Sequence, residues 1–383
     1  MIDRTEPGHG FMDLTVRTLG IILFILGLMT PIMVRGQVRN VDLVSENPVD
    51  AILKALDTHD IVGFGEAHIS ENEHRVIQAL LSDPRFPMKV NDLIVEFGNS
   101  RYQSVVDRYV AGEPVSENEL RATWRNALFF MVWERPIYEQ VFQKIRKINQ
   151  TLPPDHRVRI LLVEEPFEWS TVTSALEFNR LDLQRDQYYA ERIEREVLSR
   201  GRKAVAIFGT LHFLRTPYWS GAAIARDPNK AALITAREIR LGQLLETRHP
   251  GTLYFIWGNC LSMQDRDAER ALTSLPIPSL VSLKDTRLGQ MDFRRFLRFE
   301  ANDADPSSWK KQQFDSVADA CIYLGPLSDQ VLSQQSLVSY QDSLWVEEMI
   351  SRSKRLGELG RLYLREIEAA RARSNRTLKP RAP

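Results

Sequence analysis

The residues best suited to chemistry fall in one short stretch, Ile61-Val62-Gly63-Phe64-Gly65-Glu66-Ala67-His68, with His74 just beyond it. An apolar run stops at a glycine and leaves a carboxylate and an imidazole in the turn that follows. His74 lies within Glu73–Leu81, a segment with helical spacing. A turn-borne Glu and His with an early-helix His can bind a metal, hold a water, or act as general acid and base. The plainer alternative is that Glu66 caps the helix and both histidines are surface groups. The two histidines are not at the i, i+4 spacing of a helical metal pair.

The same theme recurs along the chain. The run Asp92–Phe97 carries Glu96. Val158–Val163 ends in Glu164 and Glu165. Ala204–Gly209 leads into Thr210-Leu211-His212. In a parallel sheet all four carboxyl ends lie on one edge, where open α/β sheets bind ligands. Titratable groups at four successive strand ends point to a site. The expected catalytic set is therefore Glu66, His68, Glu96 and His212. His74, Arg101 and Glu165 are expected substrate contacts. Glu66, His68 and His212 are the expected ligands if a metal is used. Arg101 opens the segment after Glu96 and could bind a substrate anion or a developing oxyanion, or simply be a surface arginine. Glu164 and Glu165 also fit an exposed turn before Pro166. There is no Gly-x-Ser-x-Gly elbow, Walker loop or GxGxxG. What remains is histidine and carboxylate chemistry, activating water directly or through a divalent metal.

The elements that must position these groups can be read from periodicity. Short apolar strands at 61–65, 92–97, 158–163 and 204–209 alternate with helices at 71–82, 101–111, 116–128, 136–150 and 177–200. Further strands are expected at 252–257, 279–283 and 320–324, with a helix at 231–246 and a final charged helix at 340–372. This alternation predicts an α/β fold with a largely parallel sheet. On the 177–200 helix, Arg192, Glu194, Arg195 and Glu196 read as a solvated face. Three segments follow: 1–36 as an N-terminal hydrophobic segment, 41–340 as one α/β domain, and 341–383 as a charged helix with a basic tail.

The chain has 383 residues, equal numbers of acidic and basic residues, and 43% hydrophobic residues. This is enough for a sizeable core and gives no basic footprint for nucleic acid. Leu19–Val34 is uncharged and almost wholly apolar between Arg17 and Arg35. It is short for a membrane span, which needs roughly 20 apolar residues. It suits a signal-peptide core or a minimal transmembrane anchor and predicts an exported protein, tethered to the membrane if the segment is uncleaved. Lys and Arg are balanced across it, so orientation is not set. Cys260 and Cys321 form no zinc spacing. They could pair outside the cytoplasm if their Cα atoms came close enough, but two buried free thiols are the default expectation.

The pattern Gly65-Glu66-Ala67-His68 with His74, the Glu96 strand end, and Gly209-Thr210-Leu211-His212 resemble the superfamily that joins erythromycin esterases, ChaN-like haem-uptake proteins and the Tiki/TraB group. Asp319–Pro326 is similar to that superfamily's closing strand. The resemblance covers roughly 50–330. Asn99-Ser100-Arg101-Tyr102-Gln103 and Trp133-Glu134-Arg135-Pro136 look more like an exported subgroup outside the named branches. The resemblance implies a mixed α/β sheet with helices on both faces and a cleft holding the Glu/His cluster. By motif, Glu66 and His68 match the leading pair, Glu96 the second-strand carboxylate and His212 the late histidine. It implies ester hydrolysis, haem binding or metal-dependent proteolysis, according to branch.

Two functions follow as expectations. One is a hydrolase for a small-molecule ester, lactone or peptide, with His68 or His212 as base and Glu66 or Glu96 orienting it, with or without a divalent metal. The other is a haem- or metal-binding uptake protein, with Tyr102, Tyr109 or Tyr138 as candidate iron ligands. An exported domain without chemistry is a third. In each active reading Glu66, His68, Glu96 and His212 converge, and a functional His74 faces the same place.

Overall fold

Alternation along the strands decides the architecture. A computed structural model of the protein describes residues 43–215, 239–260, 266–296 and 311–377. Within β2 (Ile61–Glu66), Val62 and Phe64 enter one core cluster and Ile61 the other. In β3 (Asp92–Asn99), Leu93, Val95 and Phe97 go to the first and Ile94 to the second. The same two-residue period divides β4 (Arg159–Glu164) and β5 (Ala204–Gly209). Strands buried on both faces need helices on both faces, as parallel strands usually do.

Those helices are present. The first face carries α1 (Pro48–Ala55), α2 (Glu71–Ser82), α4 (Gln103–Ala111), α5 (Glu117–Arg125) and α7 (Pro136–Asn149), with the single turns α3 (Phe86–Lys89) and α6 (Phe130–Trp133) between them. The second face carries α8 (Ala175–Glu196) and the helix Leu241–Arg248. Side-chain caps fix the starts: Ser70 accepts from Glu73 N ahead of α2, and Ser116 with Glu119 forms a capping box on α5.

The sheet has eight strands in the order β1-β7-β8-β6-β2-β5-β3-β4, with β1 at Ser45–Glu46, β6 at Leu253–Trp257, β7 at Ser279–Ser282 and β8 at Ala320–Tyr323. From β8 to β4 neighbours are parallel; β7 is antiparallel to both β8 and β1. The fold is thus a mixed α/β sheet with helices on both faces. β5 enters between β2 and β3, so the strands bearing Glu66, His212 and Glu96 are neighbours.

Several expectations need correction. Cys260 and Cys321 are not free thiols: they form a disulfide with Cα atoms 5.3 Å apart. The cause is the parallel pairing of β6 with β8, which sets Trp257 opposite Cys321 and brings the end of β6 alongside it. The final helix is two, Ser343–Ser353 and Gly357–Thr377, broken where Gly357 takes φ +61°. Both pack Trp345, Met349, Tyr363 and Ile367 against Phe130, Phe167 and Trp169 in a third core cluster. The helix expected over 116–128 stops at Arg125, and β1 was not expected. The 231–246 helix begins at Leu241; residues 231–238 lie outside the described residues, as does the hydrophobic segment at 19–34. No helix among the described residues is long and apolar enough to cross a membrane.

Candidate active site

β2 ends on Glu66, a buried carboxylate with both oxygens occupied. Oε1 lies 2.8 Å from His68 Nδ1 and accepts the Tyr138 hydroxyl at 3.0 Å. Oε2 lies 3.0 Å from His74 Nε2. His74 sits one turn into α2, buried, and faces the cluster rather than solvent. β3 stops pairing with β5 at Val95, and its register with β4 shifts between Val95 and Asn99. That irregularity turns Glu96 toward the end of β5, where Oε2 accepts Gly209 N–H at 2.7 Å. Irregularities of this kind recur beside active sites because they re-aim a side chain.

His212 follows β5 in a short 3-10 turn. Its Nε2 lies 3.2 Å from Glu96 Oε1 and its Nδ1 2.6 Å from Asp186 Oδ1. With a carboxylate on each nitrogen, both nitrogens are donors, so the ring is an imidazolium. The two halves of the cluster meet at Gly209. A methyl group there would stand 2.7 Å from His68 Nε2 and 3.5 Å from Glu96 Oε2. Glu66, His68, His74, Glu96 and His212 are therefore brought together.

Arg101 and Glu165 are not. Arg101 is half-exposed, in the 3-10 turn Ser100–Tyr102, and forms an ion pair with Glu168 at 2.6 Å instead of with Glu96. The arginine that meets Glu96 is Arg185, from α8, at 3.1 Å, with its guanidinium over the Phe129 ring at 4.6 Å. Glu165 is half-buried and joins none of the cluster's hydrogen bonds. Its neighbour Glu164 turns inward and takes Leu128 N–H on both oxygens, at 2.9 and 3.0 Å.

Electrostatics separates the two histidines. Burial would raise Glu66, but the hydrogen bonds and charges of His68 and His74 outweigh it and hold it at about 2. Burial is likewise overcome at Glu96, where the charge and hydrogen bond of His212 hold the carboxyl well below the usual range. Burial disfavours a charged His212, yet Asp186 and Glu96 lift it to about 9. His68 is also raised, its burial outweighed by the Glu66 hydrogen bond and the charge of Glu96. Glu164, with no cation in direct contact, is pushed by burial up to about 8. These titrations are coupled, so the protons belong to the cluster more than to single residues.

The expected metal set does not fit this arrangement. Both Glu66 oxygens and both His212 nitrogens are already engaged, and a ligating nitrogen needs a free lone pair. Among the described residues no group of three or more His, Cys, Asp or Glu is placed to hold a metal ion. The haem candidates are placed no better. Tyr138's hydroxyl is committed to Glu66 and Ile69, Tyr109's ring lies under the Arg146 guanidinium, and Tyr102 packs against the first core.

No family model matches the chain, and no curated protein does. Solved structures similar to it in part include three at low identity. One is a Bacillus cereus protein, with TM-score 0.45, 11% identity, and 74% of this chain and 91% of that one covered. Another is a succinoglycan biosynthesis protein, with TM-score 0.49, 8% identity, and coverage of 78% and 98%. The third is an erythromycin esterase mutant in its open conformation, with TM-score 0.47, 10% identity, and coverage of 75% and 94%.

Sequence reading missed Arg185 and Asp186, and singled out Tyr138 only as a candidate iron ligand, where its hydroxyl bonds Glu66 and Ile69. Asp186 accepts from Leu241 N and pairs with Arg240 at 3.2 Å as well as holding His212. Its signal was present: Asp186, Tyr189, Ala190 and Ile193 share the buried stripe of α8. A carboxylate on an apolar stripe needs a partner in the interior.

Proposed function

We propose that this protein is a hydrolase in which His68 takes a proton from water and Glu66 orients the imidazole. One observation carries the reading. His68 has Nδ1 tied to a buried carboxylate while Nε2 makes no hydrogen bond among the described residues, and its side chain is 37% exposed where the rest of the cluster is buried. An imidazole oriented at one nitrogen and open at the other has the form of a general base. The charged His212, with Arg185 beside it on Glu96, favours a developing oxyanion through its field, in part offset by the Glu96 and Asp186 carboxylates that hold it. The motif resemblance to erythromycin esterases supports ester or lactone substrates ahead of peptides. The water is activated by the imidazole itself, without a metal.

The substrate is a small molecule approaching from the exposed edge of His68. The Cys260–Cys321 disulfide and the apolar run at 19–34 support export to an oxidising compartment, with membrane attachment if that run is retained. The test is a panel of ester, lactone and peptide substrates, with and without chelator. Turnover of at least one class that survives chelation is expected. His68→Ala should lower it by about 10²- to 10⁴-fold, the usual worth of a general base. Full activity in His68→Ala, or no turnover by wild type with or without added metal, would overturn the reading. A Soret shift on haem titration of a protein without turnover would replace it with haem uptake.

A further inference from the structure

The turn that carries His68 is held in a conformation its sequence resists. Ile69 has φ +67°, in the left-handed region. A β-branched residue is an outlier there and is strained. Contacts on both sides of the residue hold it. Its N–H donates to the Tyr138 hydroxyl at 3.0 Å, and its carbonyl accepts Ser333 N–H at 2.7 Å. The Tyr138 hydroxyl also donates to Glu66 Oε1, the same oxygen that meets His68 Nδ1. One phenol therefore touches both the carboxylate that orients the imidazole and the backbone that delivers it.

Tyr138 is itself fixed. It is fully buried, with ring contacts to Phe97 at 4.8 Å, His74 at 4.9 Å and Trp133 at 5.0 Å. Trp133 in turn stands edge-on to His68 at 4.9 Å. Arg135, at the start of the same helix, donates to the Ser333 carbonyl at 3.1 Å. The first turn of α7 thus reaches both anchors of Ile69.

We propose that Tyr138 is a positioning residue, clamping the left-handed Ile69 turn to the Glu66 carboxylate so that the His68 imidazole is held with Nε2 beside Gly209, where the two halves of the cluster meet. This role deepens the hydrolase reading and takes its catalytic meaning from it. The titratable groups around the imidazole are Glu66 on β2, His74 on α2, Glu96 on β3 and His212 after β5. None of these side chains bonds the Ile69 amide, so that amide reports on the clamp alone.

The experiment compares the full-length wild type with Tyr138→Phe by NMR and amide exchange. Loss of the hydroxyl should speed exchange of the Ile69 amide about tenfold, the equivalent of one hydrogen bond. The His68 Nδ1–H resonance should shift as Glu66 Oε1 loses its second donor. On any substrate found active, kcat should fall with KM nearly unchanged. If Tyr138→Phe does not fold, 3-fluorotyrosine at position 138 keeps the ring and hydroxyl while making a stronger donor and weaker acceptor. Ile69 exchange should again speed, and the Nδ1–H resonance should move the opposite way. A folded Tyr138→Phe protein with Ile69 exchange and the His68 resonance both unchanged overturns the proposal, as does a fluorinated protein identical to wild type in both. Neither spectroscopic readout needs turnover. An inactive wild type would remove the hydrolase reading, while the clamp stands or falls on the spectra.

Discussion

A residue with no side chain sets the distance between the two halves of the cluster. Gly209 ends β5 with its Cα against His68 Nε2 and its N–H on Glu96. Gly209→Ala would put a methyl group 2.7 Å from that nitrogen. Because His68 is a partly exposed side chain, it can yield while the backbone stays. The variant should keep its thermal midpoint within a few degrees and lose about 10²-fold in kcat, the scale of a displaced reacting group; calorimetry and steady-state rates check it. The pH profile belongs to the same scale. His68 works as a base only after losing its proton, and its folded value lies above 6.5. Activity should therefore rise with pH on a limb above 6.5. It should fall again as His212 loses its charge near 9. A kcat/KM profile flat across both regions would remove these assignments.

At the scale of elements, the strand ends were legible and the helix interiors were not. Glu66, Glu96 and His212 follow apolar runs, and such runs in an α/β pattern stop on one edge. His74 was readable through the helical spacing of Glu73–Leu81. Arg185 was not, and Asp186, although it falls on the apolar stripe of α8, was obscured by the many charges of that helix. Tyr138 reads as packing, which its ring does, while its hydroxyl does something else. The strand order was unreadable too, since nothing local places β5 between β2 and β3. Asp186→Asn tests the contribution of α8. Removing that charge takes away one of the two carboxylates that raise His212. The alkaline limb should move down from about 9 toward 6.5, as would the imidazole titration followed by NMR. An unmoved limb would mean that Glu96 alone sets it.

At the scale of the whole molecule, the C-terminal helices and the disulfide hold the frame behind the site. Arg125 links Glu134 at 3.0 Å with Asp342, the cap of Ser343–Ser353, at 3.1 Å. Glu134 also accepts Trp124 Nε1 at 2.9 Å. This network anchors the loop that presents Trp133 to His68. The disulfide closes a loop of 61 residues in sequence separation. A closure of that length stabilises by about 4 kcal/mol on the chain-entropy account. Reduction, or Cys321→Ser, should lower the thermal midpoint by several degrees while leaving the His68 resonances in place. Loss of the cluster's spectrum on reduction would show that the sheet's other half reaches the site.

The insertion of β5 between β2 and β3 also governs the order in which the protein can become itself. As the chain emerges from its amino end, β2 and β3 appear long before the strand that belongs between them. Until Gly209 has been made, Glu96 has no amide to accept and two strands stand with open edges side by side. Their direct pairing is the wrong partner choice closest to hand. A nascent chain must either be kept from that pairing or undo it. The Glu/His cluster is then completed only when residues 204–212 take their place between two strands made long before them.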